Sequence, residues 1–392
     1  MATADRWLLP EGVEELLPAQ ARQVESIRRH LLDLYRGWGY QLVIPPLIEF
    51  TDALLVGMGS DLEVSSFKVT DQLTGRMMAI RPDITAQAAR IDAHSLRSDE
   101  VTRLCYAGSV LHTKPKSLMA SRSPIQIGAE LYGEAGVAAD IEVISLMLAT
   151  LASVGVTEVT LDLGHVAIFR ALVNQANLTQ AQETALSEVL QRKASDEIAA
   201  VINSCFDDAV LAEQMLALSK LQGDVTVLAQ AESLFVGADE QIVSAIAELN
   251  QVAVQIQQRY PALNLYFDLT ELRGYHYHTG LVFGAYAAGC GYAVANGGRY
   301  DDIGKVFGRA RPATGFTTEL KSLLSLASIA DDDSDIIFAP YSEDAKQWDQ
   351  VQQLRLENQI VICGLPNQAA SSECTHQLIA TDGQWSVVAI ER

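Results

Sequence analysis

The sequence has 392 residues, 49% of them apolar, with a formal charge of −21. That length allows two or three domains with a substantial core. No run of about 18 uncharged apolar residues is present, so no membrane span is expected. The acidic balance lowers the prospect of a nucleic-acid partner, because no Lys/Arg cluster offsets it. Five cysteines, at 105, 205, 290, 363 and 374, include no CxxC pair. That argues against a disulfide framework or a structural zinc site. Met1-Ala2-Thr3-Ala4-Asp5-Arg6 lacks the basic start and apolar run of a signal peptide, so a cytoplasmic location is expected.

Apolar residues recur at helical spacing from Ala19 to about Trp38, through Val24, Ile27, Leu31, Leu34 and Tyr35. Gly37 and Gly39 end that helix. Tyr40 to Ile44 is a short β-type run stopped by Pro45-Pro46. Phe67–Val69 and Met77–Ile80 predict a strand pair around a turn from Asp71 to Gly75. A helix is expected from about Ile84 to His94, with Pro82 at its start. Val101–Ala107 and Ile125–Gly133 read as strands separated by a polar loop, His112–Pro124. An apolar helix over 138–153 and a strand over Val159–Gly164 follow. Residues 166–260, rich in Ala, Gln, Leu and Glu, read as a helical insertion. Strands return from Leu263 to Ala295, and a helix is predicted over 313–329. Asp331-Asp332-Asp333-Ser334-Asp335 is an acidic linker. The remaining residues suggest a small βαββ unit, with Asp382-Gly383 as a hairpin signal. The pattern predicts an α+β fold: a mostly antiparallel sheet flanked by helices over 1–165 and 261–330, the insertion over 166–260, and a small domain over 331–392. Regular βαβ spacing is absent, which argues against a dinucleotide-binding fold.

Four segments carry polar groups suited to chemistry. In Arg81-Pro82-Asp83-Ile84-Thr85, Asp83 falls where a strand meets a helix and the dipole favours an anion; on local grounds simple helix capping is the favoured explanation. In Gln126-Ile127-Gly128-Ala129-Glu130, the first, third and fifth residues share one strand face. There a glycine gap lies beside an amide and a carboxylate able to hold an ammonium or an imidazole N–H. In Arg273-Gly274-Tyr275-His276-Tyr277-His278, a regular strand would put Arg273, Tyr275 and Tyr277 on one face. Arg273 suits a carboxylate. His276 and His278 lack the third and fourth ligands that zinc needs, with only Cys290 nearby, so no metal or other cofactor is expected. In Gly297-Gly298-Arg299-Tyr300-Asp301, a phosphate-loop reading fails, because Val306 follows Lys305 where a Ser or Thr is required.

In this order and spacing, the segments resemble the catalytic core of histidyl-tRNA synthetases across roughly residues 8–330. Gly37–Glu49 looks like class II motif 1. Arg81–Thr85 resembles the family's Arg-Pro-Glu/Asp-x-Thr. Tyr106–Gly133 occupies motif 2, Arg273-Gly274 with Tyr277 matches the histidine-specific segment, and Gly297–Asp301 matches Gly-Gly-Arg-Tyr-Asp. The resemblance implies a class II synthetase-like fold that dimerises through motif 1. It further implies a histidine pocket in which Asp83, Thr85 and Gln126 hold the α-ammonium. Glu130 takes an imidazole N–H, Arg273 the carboxylate, and Tyr277 walls the ring; His278 replaces a second tyrosine.

The departures fall on ATP handling. The motif 2 arginine and glutamate are His112 and Lys114. In motif 3 the second glycine is Glu319, the acidic residue is Lys321 and the arginine is Ser322. Losing one such electrostatic contact typically costs about 3–4 kcal/mol in a transition state. The stretch after the linker is also shorter and less basic than an anticodon-binding domain. This combination resembles the regulatory subunits of ATP phosphoribosyltransferase, which are synthetase paralogues. That resemblance implies a non-catalytic, histidine-responsive subunit partnered by a short-form catalytic subunit, a homodimer within a larger hetero-oligomer, without nucleic acid or membrane. The alternative is a divergent ATP-dependent ligase acting on histidine.

Overall fold

The computed structural model describes residues 7–54, 64–115, 120–275, 277–327 and 335–391. The acidic linker up to Ser334, the N-terminal hexapeptide and His276 lie outside them.

Helix α1 (Pro18–Gly37) begins with proline in its first turn and buries Val24, Ile27, Leu31 and Tyr35. These recur every three or four residues, so they form one stripe; each buried side chain contributes about 1.5–3 kcal/mol. Gly39, at φ +85°, reverses the chain into β1 (Gln41–Leu42), then β2 (Ile48–Phe50) and α2 (Thr51–Leu54). The predicted strand pair is β3 (Lys68–Thr70) and β4 (Met77–Ile80), and β4 also pairs with β2. Next come α3 (Thr85–Arg90), which continues as a wider turn over Ile91–Leu96, β5 (Thr102–Ser109), β6 (Ile125–Tyr132), α4 (Val137–Ser153) and β7 (Val159–His165).

The helical segment follows: α5 (Val166–Gln175), α6 (Gln180–Gln191), α7 (Ser195–Cys205), α8 (Ala209–Leu218), the two-residue β8 (Gln222–Gly223), α9 (Thr226–Leu234) and α10 (Glu240–Arg259). Thr179 and Gln182 form a reciprocal capping box at the start of α6. Strands β9 (Asn264–Asp268), β10 (Leu281–Ala287), β11 (Ala295–Arg299) and β12 (Ala313–Glu319) precede α11 (Leu320–Leu326). The last unit contains β13 (Ile336–Ala339), α12 (Ala345–Leu356), β14 (Ile360–Cys363), β15 (His376–Thr381) and β16 (Gln384–Ala389).

Among the described residues, a nine-stranded sheet runs β1-β5-β6-β12-β11-β10-β7-β9-β8. It is antiparallel except where β1 meets β5 and β7 meets β9. Residues directly opposite one another in such a ladder share a face. Ile127, Phe316, Phe283 and Leu163 therefore project to one side, where α1, α4 and α10 cover them in a continuous apolar core. The other side carries Tyr106, Gly128, Thr317, Asn296, Gly284 and Asp162 in one row. Glu130, Gly315, Gly298, Val282 and Gly164 form the next. That face is polar, with a floor of glycines.

The chain divides into two compact units, Met1–Ser328 and Ile329–Arg392. The helical segment belongs to the first, through α10 against α4 and α5. The second holds a four-stranded sheet, order β14-β13-β15-β16, with α12 packed on it. It has one strand more than the predicted βαββ, and Asp382-Gly383 forms the expected hairpin turn. Among the described residues no helix is long and apolar enough to cross a membrane.

Two predicted elements are corrected. Residues 313–319 are a central strand, not the start of a helix. Thr314, Thr317 and Thr318 are β-branched and favour the sheet, and the helix begins only where Glu319 caps it. Residues 272–275 and 277–280 form a turn rather than a strand. Gly274 adopts φ +63°, and the Tyr277 and His278 amides both donate to its carbonyl at 2.7 and 2.8 Å.

Candidate functional site

The glycine floor is where a site can form, because side chains from neighbouring strands reach across it. Glu130 projects from β6 over Gly315; a methyl on Gly315 would collide with its carboxylate. A methyl on Gly128 would lie 2.5 Å from the Phe316 carbonyl and 2.7 Å from Tyr106 Oη. Both glycines are thus required by close approach, not by backbone conformation. Glu130 is 1% exposed. Tyr106 Oη donates to its Oε1 at 2.9 Å, and Tyr300 Oη donates to its Oε2. Burial pushes the Glu130 carboxyl up to about 8, against the opposing pull of the Tyr300 and Tyr106 hydroxyls.

Asp83 and Gln126 build a second polar group beside it. Asp83 Oδ1 accepts from the Thr85 amide at 2.7 Å, and its Oδ2 accepts from Gln126 Nε2 at 3.0 Å. Gln126 Oε1 accepts from the Ile84 amide at 2.9 Å. Asp83 therefore holds the first amide of α3 from just outside the helix and also orients the Gln126 amide. Thr85 Oγ1 lies 3.1 Å from Tyr106 Oη and joins the two groups. Tyr277 stacks on Tyr300 with centroids 5.0 Å apart, and the His278 ring meets it edge-on at 5.3 Å. The buried Tyr277 hydroxyl has no hydrogen-bond partner among the described residues. His278 packs above Gly298 and Gly274, and burial pushes its imidazole down to about 4.

The fold thus gathers Asp83, Thr85, Gln126, Glu130, Tyr277 and His278. Arg273 stands apart. Its guanidinium is held by Glu271, with Nη2 to Oε2 at 2.6 Å and Nε to Oε1 at 3.2 Å, and by Tyr286 Oη at 2.5 Å. Asp162 Oδ2 is 3.9 Å away. The anticipated common face for Arg273, Tyr275 and Tyr277 is lost with the strand: Tyr275 instead packs against Phe169 and Arg170 of the helical segment. That segment also holds the turn through its backbone. Arg170 donates to the Tyr275 and His278 carbonyls at 3.0 and 2.9 Å, and Gln191 donates to Leu272 at 3.0 Å.

Tyr106, Tyr300 and Glu271 were not singled out as site residues. Tyr300 lies inside the Gly-Gly-Arg-Tyr-Asp motif and Tyr106 faces Gly128 by strand register, so both carried a readable signal. Glu271 did not, since only the turn brings it onto Arg273.

The positions that ATP chemistry would need have structural occupations. His112, 4% exposed, donates from Nε2 to the Pro82 carbonyl at 2.8 Å and so braces the Asp83 turn. Glu319 accepts from the Ile125, Lys321 and Ser322 amides and from Ser322 Oγ. Lys321 Nζ is 3.0 Å from Glu14 Oε1. Lys114 is exposed. His112 and Glu319 thus hold nearby backbone, Ser322 is bonded to Glu319, and Lys321 is spent on Glu14.

A profile described as histidyl-tRNA synthetase matches residues 12–323, and one described as ATP phosphoribosyltransferase subunit HisZ C-terminal domain matches 334–388. An ATP phosphoribosyltransferase regulatory subunit of Azotobacter vinelandii is 51% identical over 99% of both chains. One of Thioalkalivibrio sulfidiphilus is 52% identical over 99% of both. A solved structure, an ATP phosphoribosyltransferase regulatory subunit/histidyl-tRNA synthetase from Bacillus halodurans, superimposes with a TM-score of 0.82 at 25% identity, covering 94% of this chain and 96% of its own. On the lost ATP residues, the shared fold and this full-length similarity, the chain belongs to the family of ATP phosphoribosyltransferase regulatory subunits, built on the class II histidyl-tRNA synthetase fold.

Proposed function

We propose that this chain binds free histidine on the glycine floor and communicates its occupancy to a short-form ATP phosphoribosyltransferase catalytic subunit in the cytoplasm. The observation that carries this reading is the contrast within one face. Glu130 and Gln126 are buried and are joined through Asp83, Thr85 and Tyr106, while His112 and Glu319 bond nearby backbone, Ser322 bonds Glu319 and Lys321 pairs with Glu14. Asp83, Thr85 and Gln126 would take the ligand ammonium, Glu130 an imidazole N–H, and Tyr277 and His278 the ring faces. Arg273 is the cation within the turn that suits the carboxylate.

Regulation requires that histidine bind one assembly state better than another. A coupling of about 1–3 kcal/mol is enough for feedback. The turn at 272–280 is the route that supports such coupling, since Arg170 and Gln191 tie it to the helical segment. Exposed Leu42, Ile44, Leu47 and Ile48 support a homodimer through the Gln41–Ile48 stretch.

The test is ligand-dependent thermal stability of the pure protein. Histidine should raise the melting temperature and ATP should not, and histidine-dependent pyrophosphate exchange should be absent. Glu130→Ala should abolish the histidine response while the far-UV spectrum is retained. Exchange at a synthetase-like rate, or an unchanged response in Glu130→Ala, overturns the assignment.

A further inference from the structure

A sheet ends in edge strands whose outer N–H and C=O groups can capture another strand, and short length or a charged side chain normally prevents it. The described residues manage their edges unequally. In the nine-stranded sheet the edges β1 and β8 have two residues each. In the three-stranded sheet β2 and β3 have three each, with Lys68 on β3. In the last unit β14 has four, and Arg355 of α12 donates to its Val361 carbonyl at 3.0 Å. The opposite edge, β16, has six. It reads Gln384-Trp385-Ser386-Val387-Val388-Ala389, with no charge, proline or glycine, in a chain of net charge −21.

The hairpin fixes which backbone groups of β16 point outward. Asp382 and Gly383 both take positive φ, 52° and 77°, as a two-residue type I′ turn requires. Its flanking residues, Thr381 and Gln384, form a hydrogen-bonded pair, and such pairs alternate along the ladder. The Ile390 amide accordingly donates to the Thr375 carbonyl at 2.9 Å. Trp385, Val387 and Ala389 fall between these pairs, so their amides and carbonyls face away from β15. Among the described residues no further strand pairs with them, and Val387 is exposed.

We infer that β16 is a self-association edge, which pairs antiparallel with β16 of a second copy of this chain about a two-fold axis at Val387. The outward groups set the register. Val387 meets Val387 and Trp385 meets Ala389, so each of the three residues donates one backbone bond and accepts another. The largest side chain of the strand then lies opposite a small one. Two acidic chains approach here without like charges facing each other along the ladder, and Glu391 falls opposite Gly383, which has no side chain. The contact is isologous and closes on itself, joining two four-stranded sheets into one. It involves other residues than the Gln41–Ile48 contact proposed above and does not depend on it.

The test is the mass of the full chain in solution, by sedimentation velocity across a dilution series. Val387→Pro removes an outward donor without taking a bond from β15. Val387→Lys keeps every backbone group and sets two like charges together at the axis, and so serves should the proline variant fold poorly. Either variant should halve the mass of the assembly formed by the unaltered chain at the same concentration, with the far-UV spectrum retained. An equal mass for the unaltered chain and both variants overturns the inference. Growth of the assembly only on adding the short-form catalytic subunit, lost in Val387→Pro, assigns the edge to a different protein and overturns it equally.

Discussion

Replacing Glu130 by glutamine should make the protein less sensitive to alkaline pH. Glu130 is fully enclosed, and its carboxyl is held up to about 8 from an ordinary 4.5. The folded state therefore favours the protonated form. Below about pH 4.5 the carboxyl is neutral in both folded and unfolded chains and costs nothing. As pH rises from there to about 8, the unfolded chain ionises freely while the folded one resists, and stability is lost across that window. At ~1.36 kcal/mol per pH unit, the loss reaches about 5 kcal/mol once the pH exceeds 8. Relaxation and entering water make that a ceiling. Glutamine has nearly the same shape as a protonated glutamate and can still meet the Tyr106 and Tyr300 hydroxyls. Urea unfolding midpoints measured from pH 5 to pH 9 should thus nearly coincide for Glu130→Gln and the unaltered chain at pH 5. They should separate in favour of the variant above pH 7. A difference that stays flat with pH, or a variant that loses stability as pH rises, would refute the buried neutral carboxyl.

Three further outcomes follow from packing. Arg299 pairs with Asp140 at 2.7 Å, both nearly buried, and also donates to the Glu134 and Gly136 carbonyls; Arg299→Met should cost about 3–5 kcal/mol by stranding the Asp140 charge, read as a lowered unfolding midpoint. Gly315→Ala places a methyl against the Glu130 carboxylate and should cost about 1–3 kcal/mol through overpacking, with loss of the histidine response in the same thermal assay. Glu319→Ala removes the cap of α11 and a partner of the Ile125 amide; a loss of about 0.5–2 kcal/mol is expected, with no gain of pyrophosphate exchange, and appearance of exchange would show that Glu319 alone blocks the nucleotide.

The elements with a strong local signature were legible in the sequence. The stripe of Val24, Ile27, Leu31 and Tyr35 gave α1, and the alternation of Gln126, Gly128 and Glu130 put one strand face to work. Asp83 before Thr85 marked a helix start that also faces the site. Residues 313–319 were not legible, because the strand is buried on both faces from Ala313 to Phe316, lacks the alternation of a half-buried strand, and runs without a break into α11. The turn at 272–280 was missed for a different reason. Its period-two run of Tyr275, Tyr277 and paired histidines looks extended, but Gly274 takes a positive φ and its carbonyl accepts from the Tyr277 and His278 amides, which folds the chain back.

The sequence by itself determined which chemistry survives. Glu130, Asp83 and Gln126 are present, and no arginine occupies the motif 2 or motif 3 positions, whatever the chain does in space. Tertiary structure alone decided what those groups meet. It set Tyr106 and Tyr300 on Glu130, turned His112 and Glu319 into braces, and brought Glu271 onto Arg273. Identity and spacing are local properties, but the pairing of charges depends on where separate strands and turns come to lie. The carboxylate that Arg273 meets is therefore written in the fold and not in the motif.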